Sequence, residues 1–334
     1  MTDEQSVPAS TTLQVSVVIP VYRGEETLPA VVEELAGLRQ TQVPPGGRPF
    51  AISEVLLVWD RGPGSSDRVL RELHEKHSWV RPIWLSRNFG QHAATLAGMT
   101  SSGGDWIVTM DEDGQQDPSF IAAMIDAAYD DGAQLVYAKP TNPPPHGALR
   151  NLGSKAAKGL FVRFLADQDF EEFNSYRLVL GEIGRSVAAY TGTGVYLDVA
   201  LSWVVSDVTT CQVTLRREGR EAGNYNYSRL ASHFGRLVIS SGTRPLFFVS
   251  FIGVAFVILG GLAALWVGYE SVIGDVPVSG WASMFIALMI VGGAVMLSLG
   301  IIAQYIGATT NMSLGNPLYV VVKDPAETFD PRAT

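Results

Sequence analysis

The chain has a single cysteine, Cys211, so no intramolecular disulfide can form and the fold needs no oxidising compartment. Its five histidines show no metal-ligand spacing. Positive charge is in the minority: 24 lysines and arginines against 33 acidic residues leave a net charge of −9. That balance disfavours nucleic acid as a partner, because phosphate-backbone binding needs a basic face to release counterions. Residues 1–12 lack both the basic n-region and the apolar h-region of a secretory signal, and read as a disordered tail. Charge is absent altogether from two long stretches, 245–269 (PLFFVSFIGVAFVILGGLAALWVGY) and 281–306 (WASMFIALMIVGGAVMLSLGIIAQYI).

What is present fits around those gaps. At 334 residues the chain exceeds the usual size of one core, and its mean hydropathy of +0.17 reflects apolar residues gathered near the C-terminus. Each charge-free stretch surpasses the roughly 20 residues that cross a hydrocarbon core. Two transmembrane helices are the expectation, and a pair of buried core helices the alternative. Trp266, Tyr269, Trp281 and Tyr305 stand near the ends, where aromatic rings favour headgroups. The connecting loop 270–280 carries Glu270 and Asp275 but no lysine or arginine, whereas Arg229, Arg236, Arg244 and Lys323 flank the other side. The positive-inside rule then puts the large N-terminal domain, 13–226, and the tail, 307–334, in the cytoplasm of an inner or plasma membrane.

Before the apolar stretches, strand-like and helix-like patterns alternate. VSVVIPV (15–21), EVLLVWD (54–60), RPIWLSR (81–87) and DWIVTMD (105–111) read as buried strands, the first followed by a helical pattern from about Glu25. VPPGGRP (43–49) and NPPP (142–145) read as loops. Strands separated by helices predict an α/β fold with a parallel sheet, whose ligands collect beyond the carboxyl ends of the strands. Those ends carry Tyr22 and Arg23, Asp60, Arg87 and Asn88, and Asp111 with Asp113.

The sharpest local signal is MDEDGQQDP, residues 110–118. Carboxylates at alternate positions, Asp111 and Asp113, can bracket one hard divalent ion, Mg²⁺ or Mn²⁺, together with substrate phosphates. Taken alone, acidic residues at a strand-to-loop junction also fit turn or capping groups.

In context the chain resembles the inverting family-two glycosyltransferases of GT-A fold, and among them the polyprenyl-phosphate sugar transferases. VSVVIPVYRGEETL resembles the first strand and nucleotide-contacting loop of that family, and EVLLVWDRGPGSSD its second acidic strand end. LSRNFGQHAATLAGM is similar to a characteristic segment, MDEDGQQDP to the metal motif, NSYRL (174–178) to a Phe-Arg-Leu segment, and RREGREAGNYNYSRL (216–230) to an acceptor-loop motif. The resemblance spans about Val15 to Val322. Arg23, where the family often has asparagine, and the longer RGPGSSD depart from the pattern.

The resemblance implies roles. Pro20, Tyr22, Glu25, Asp60, Arg87, Asn88, Asp111 and Glu112 would meet the nucleotide sugar, and Asp111 and Asp113 the metal. Gln116, Asp117 and Arg177 would join Asp111 and Asp113 in the catalytic set, while Arg177, Arg217 and Arg220 would hold the acceptor phosphate. Asp67 would contact ribose or cap a helix, Asp117 also reads as a helix cap, and His92 reads as a packing residue. The acceptor needs little base catalysis, since a phosphate monoester with a second pKa near ~6 is already anionic at neutral pH. The resemblance also implies inversion at the anomeric carbon, and a homo-oligomer such as a tetramer.

A lipid acceptor would account for two amphipathic segments. Segment 148–165 sets Arg150, Lys155, Lys158 and Arg163 among apolar residues, and 227–244 places Leu230, Phe234, Leu237 and Val238 on one helical face. The expected activity is transfer of one sugar from a nucleotide donor to an undecaprenyl or decaprenyl phosphate. The alternatives are a processive polysaccharide synthase, disfavoured by the lack of a Gln-x-x-Arg-Trp motif, and a non-catalytic membrane scaffold.

Overall fold

The computed structural model describes residues 12–142, 173–192, 195–216, 280–313 and 317–328, with Leu262, Leu265 and Tyr269. Residues 1–11 of the expected tail 1–12, the amphipathic segments 148–165 and 227–244, and nearly all of 245–269 lie outside the described residues.

One eight-stranded sheet organises the first part of the chain. In order of sequence its strands are β1 (Leu13–Val21), β2 (Phe50–Trp59), β3 (Val80–Leu85), β4 (Trp106–Thr109), β5 (Leu135–Pro140), β6 (Arg177–Leu180), β7 (Val208–Val213) and β8 (Val321–Val322). Across the sheet they run β7-β5-β6-β4-β1-β2-β3-β8. β1 pairs parallel with β2 and β4, β2 with β3, and β5 with β7; β6 is antiparallel to β4 and β5, and β8 to β3.

The central strand is apolar on both faces because both are covered. Val15, Val17, Ile19 and Val21 face α1 (Leu28–Ala36), α2 (Ser66–Lys76) and α4 (Ile121–Asp130). Val18 faces the other cluster, built from α3 (Gln91–Ser101), α5 (Gly181–Tyr190) and α6 (Leu197–Ser202). The chain winds outward from β1 to β3, then returns through α3 on the opposite face to place β4 beyond β1. The order therefore reverses between β1 and β4, and a crevice opens there at the carboxyl ends.

Gly98 on α3 makes that crossing close. A Cβ there would stand 2.3 Å from Val18 Cγ1 and 3.0 Å from Val58 Cγ2, so the helix lies on the sheet at a distance only glycine permits.

The four expected strands are present with shifted ends. β1 starts at Leu13 and β2 at Phe50, while β4 ends at Thr109, before the carboxylates. Residues 307–334 are not a simple tail: the helix expected to end at 306 runs on to Ser313 as α7 (Trp281–Ser313), and Val321–Val322 joins the sheet ahead of α8 (Pro325–Thr328).

By contacts the chain forms two units, one of residues 1–158, 168–226 and 317–334, the other of 159–167 and 227–316. In the second, α7 has 33 residues and no charged side chain. Met284, Leu288, Val291, Val295, Leu299, Ile302 and Ile306 on it are exposed. Counted over the described residues alone, no helix is long and apolar enough to cross a membrane, so the fold leaves the two expected spans unestablished.

Gly98→Ala should destabilise the sheet unit by about 1–3 kcal/mol, as overpacking of a tight core does, and thermal unfolding of the variant beside the parent chain measures it.

Candidate active site

The carboxyl ends of β1 to β4 bring Tyr22 and Arg23, Asp60 and Arg61, Arg87 and Asn88, and Asp111 with Asp113 to one edge of the sheet. Two of the loops touch. A Cβ on Gly62 would fall 1.6 Å from the carbonyl oxygen of Tyr22, so glycine is required where the β2 loop crosses the β1 loop. Arg61 before it adopts a left-handed φ of 50°, a strained turn for a non-glycine residue.

Asp111 is heavily committed at that edge. Its Oδ1 accepts from Gln91 Nε2 at 2.7 Å, and its Oδ2 from Gln116 Nε2 at 2.9 Å and from the Ser175 hydroxyl. Gln116 is reciprocal: its Oε1 accepts the Asp111 backbone N–H at 2.8 Å, and its Nε2 also reaches Ser175 Oγ at 2.9 Å. Burial pushes the Asp111 carboxyl up, the Ser175 hydroxyl opposes that, and the nearby Asp113 charge adds to it. Asp113 is held by an Asx-type turn, its Oδ1 accepting the Gln115 N–H at 2.9 Å. Gly114, with φ 74°, lets the chain turn behind it.

Several residues expected at the nucleotide instead tie the loops together. Glu112 accepts the N–H of Tyr22 at 2.9 Å and of Arg23 at 2.9 Å, and its own carbonyl receives the Thr27 hydroxyl. Asp60 spends one oxygen on the Phe89 N–H at 2.7 Å and the other on the Gly90 N–H at 2.8 Å; Asn88 Nδ2 donates to its carbonyl at 3.1 Å. Burial raises the Asp60 carboxyl while those two N–H groups resist the shift. Glu25 accepts from Ser66 Oγ, which in turn accepts the Gly24 N–H at 3.1 Å. These carboxylates satisfy loop N–H and hydroxyl groups that the ends of strands and helices leave unpaired, a local demand that motif comparison does not display.

Tyr22 and Arg87 are exposed, with the Arg23 guanidinium 5.9 Å from the Tyr22 ring centre and Arg87 stacked on Phe89 at 4.3 Å. Pro20 lies in β1 opposite Val58, beyond the last β1 residue paired with β4, where its missing N–H costs the ladder little.

Arg177 differs most from expectation. It is 4% exposed and ion-paired with Asp198, which also accepts the Tyr137 hydroxyl at 2.9 Å. Its Nε has no hydrogen-bond partner among the described residues. A buried guanidinium needs a counter-charge, which Asp198 supplies to Arg177. Arg217 and Arg220 lie outside the described residues. Asp117 caps the turn Pro118–Phe120 through the Ser119 N–H at 2.9 Å and pairs with Arg216 at 2.8 Å; Arg216 also grips Glu34 at 2.8 Å. Asp67 does not cap α2 but pairs with Arg71 one turn on, at 3.0 Å. His92 packs on Tyr196, ring centres 4.0 Å apart.

Sequence reasoning passed over Gln91, Ser175, Asp198 and Arg216. Gln91, Ser175 and Arg216 lay inside motifs of the resemblance, LSRNFGQH, NSYRL and RREGREAGNYNYSRL, so the signal was there; Asp198 carried none.

The donor set suits a divalent cation shared with phosphates. No group of three or more His, Cys, Asp or Glu residues with metal-site geometry occurs among the described residues. Two carboxylates, however, match the way Mg²⁺ and Mn²⁺ are held alongside substrate oxygens. The polar shell fixing Asp111 is of the kind that orients a ligand.

Residues 16–174, which lie on the α/β sheet, match the model of glycosyl transferase family 2, a family of sugar-transferring enzymes. The bactoprenol glucosyl transferase of Shigella phage SfV is 21% identical over 309 residues, covering 92% of this chain and 98% of that one. The prophage bactoprenol glucosyl transferase homolog of Escherichia coli strain K12 is 23% identical over 314 residues, covering 92% and 98%. Among solved structures, mannosyl-3-phosphoglycerate synthase from Rubrobacter xylanophilus is 14% identical with a TM-score of 0.47, over 70% of this chain and 74% of that one.

Gln116→Leu should leave the Asp111 N–H and one carboxylate oxygen short of partners and cost about 1–3 kcal/mol, read in denaturant unfolding. Acid behaviour checks Asp117. Burial raises its carboxyl, but Ser119 and Arg216 outweigh burial and leave it below its ordinary 3.8. A depressed acid stabilises above its unfolded value and loses that contribution as pH falls through the folded one. Asp117→Asn should therefore flatten the loss of stability below about pH 4, measured as melting temperature against pH.

Proposed function

We propose that this chain transfers one sugar from a nucleotide-sugar donor to a polyprenyl phosphate at the cytoplasmic face of a membrane. The observation that carries the reading is the Asp111 carboxylate, fixed by Gln91, Gln116 and Ser175 at the reversal of strand order, with Asp113 beside it. Two named relatives covered almost end to end, both called bactoprenol glucosyl transferases or homologues of one, support a lipid-linked acceptor.

In this reading Asp111 and Asp113 hold a divalent cation, Mg²⁺ or Mn²⁺, which when bound offsets charge on the departing diphosphate. Their part is to present two neighbouring carboxylates to the cation without reorganising during the reaction. The acceptor phosphate oxygen attacks the anomeric carbon while the bond from that carbon to the donor diphosphate breaks. Because the attacking phosphate is already ionised, no side chain has to remove a proton. Tyr22, Arg23, Arg87 and Asn88 are exposed groups at the crevice, open to the donor. Asp60, Glu25 and Glu112 shape that crevice from behind.

Membrane attachment belongs to the same proposal. A helix of 33 residues is about 50 Å long at 1.5 Å per residue, and α7 is free of charge throughout. Together with 245–269 it would anchor the chain, with the sheet unit on the cytoplasmic side and possible assembly into a homo-oligomer.

Incubating membranes that contain the full chain with a panel of nucleotide sugars, Mg²⁺ or Mn²⁺, and undecaprenyl phosphate should give a lipid carrying one sugar, read by mass spectrometry. Asp113→Asn should lower that product by more than the ~10–100-fold that loss of an outer-shell partner of a metal ligand costs, while the protein stays folded in the membrane. A polymer, or undiminished transfer by the variant, would contradict the proposal.

A further inference from the structure

The residues read from sequence as a tail do something specific. The chain re-enters the sheet unit at Pro317 and is stitched along β3. Val322 lies opposite Trp84 and Val321 opposite Leu85, and the Val320 carbonyl accepts the Ser86 N–H at 2.9 Å. Ser86 immediately precedes Arg87 and Asn88. At one end of the strap the Tyr319 hydroxyl donates to Thr100 Oγ1 on α3 at 2.9 Å. At the other, Arg71 on α2 grips Asp324 with both prongs, Nε to Oδ2 at 2.7 Å and Nη2 to Oδ1 at 2.9 Å.

That fork is not a loose surface pair. Its side chains are only 27% and 15% exposed, and bidentate arginine–carboxylate contacts hold a fixed geometry. Arg71 also lies 5.0 Å from the centre of the Trp84 ring. Trp84 meets Trp59 edge to face at 5.6 Å, and the Arg61 guanidinium covers Trp59 at 5.3 Å. Arg61 closes the circuit by donating from Nε to the Leu85 carbonyl at 3.3 Å. A continuous line of contacts thus runs from Asp324 through Arg71, Trp84 and Trp59 to the strained turn at the end of β2, while the strap backbone holds the end of β3.

We infer that the strap Pro317–Asp324 positions the donor-facing loops after β2 and β3, with the Arg71–Asp324 fork as its fastening. The role assigned to those loops rests on the proposed function, but the clamping itself does not. Without the strap β3 would be an edge strand, and Ser86 would lose the partner that sets the path of Arg87 and Asn88. Arg71 and Asp324 are positioning residues, acting through backbone and ring contacts.

Amide hydrogen exchange on the full chain in detergent micelles tests this, using Asp324→Asn, Arg71→Met and, as a control on the same helix, Arg68→Met. Arg68 pairs with Glu72 in the open, at 71% and 62% exposure. Both fork variants should speed exchange at Ser86, Phe89 and Gly90 about tenfold, as local opening does, while β4 and β6 keep parental rates and Arg68→Met changes nothing. With whichever donor of the panel supports transfer, donor KM should rise about fivefold and kcat stay within about twofold, the split expected when only binding geometry is lost. Parental exchange at those amides, acceleration spread evenly over β1, β4 and β6, or a fall in kcat at unchanged KM would overturn the inference. If no donor is turned over but exchange rises at Ser86, Phe89 and Gly90 alone, the clamp stands and the proposed function fails.

Discussion

A buried carboxylate at the meeting point of β1 and β4 governs the rest of the arrangement. Asp111 sits where burial opposes ionisation and the Asp113 charge opposes it further. It can serve as an anion there only because donors surround it: one carboxamide from α3, another from its own loop, and a hydroxyl from the segment leading into β6. Each donor comes from a different part of the chain, so the site exists only once α3 has crossed the sheet and β6 has inserted beside β4. The glycine contact of Gly98 with Val18 and Val58 serves that same requirement, since it sets how close the body of α3 can come.

Around this centre the acidic residues divide into two kinds. Glu112, Asp60 and Glu25 turn inward and hold the loops after β1, β2 and β3 to one another by accepting backbone N–H or hydroxyl groups. Asp113 remains with one oxygen bound to its own turn, next to Asp111. Buried positive charge is treated likewise: Arg177 is matched by Asp198 and Tyr137 beneath the sheet edge. The crevice is therefore a rigid frame with a small number of open groups, an arrangement suited to holding charge that develops elsewhere.

Much of this was legible from residues alone. Alternating apolar strands and helical patterns gave the α/β class, and β1 to β4 lie where the runs 15–21, 54–60, 81–87 and 105–111 put them. MDEDGQQDP located the strand end that carries Asp111 and Asp113. β5 to β8 were not foreseen: RLVL of β6 and the two residues Val321–Val322 of β8 are too short to show periodicity, and their pairing depends on partners far away in the chain. The loop contacts of Asp60 and Glu112 and the ion pair of Arg177 were not legible for a related reason. A motif records which residue stands at a strand end, but whether its side chain faces a ligand or a neighbouring loop depends on which backbone groups folding leaves unpaired.

The central claim is that Asp111 and Asp113 form one anionic centre for a cation shared with a diphosphate. Electron paramagnetic resonance of Mn²⁺ titrated into the full chain, with UDP or GDP present, measures it directly. The free-ion signal should be quenched by the parent chain in the presence of the nucleotide that fits, and should persist with Asp111→Asn at the same concentrations. Equal quenching by both proteins would place the cation elsewhere and contradict the claim.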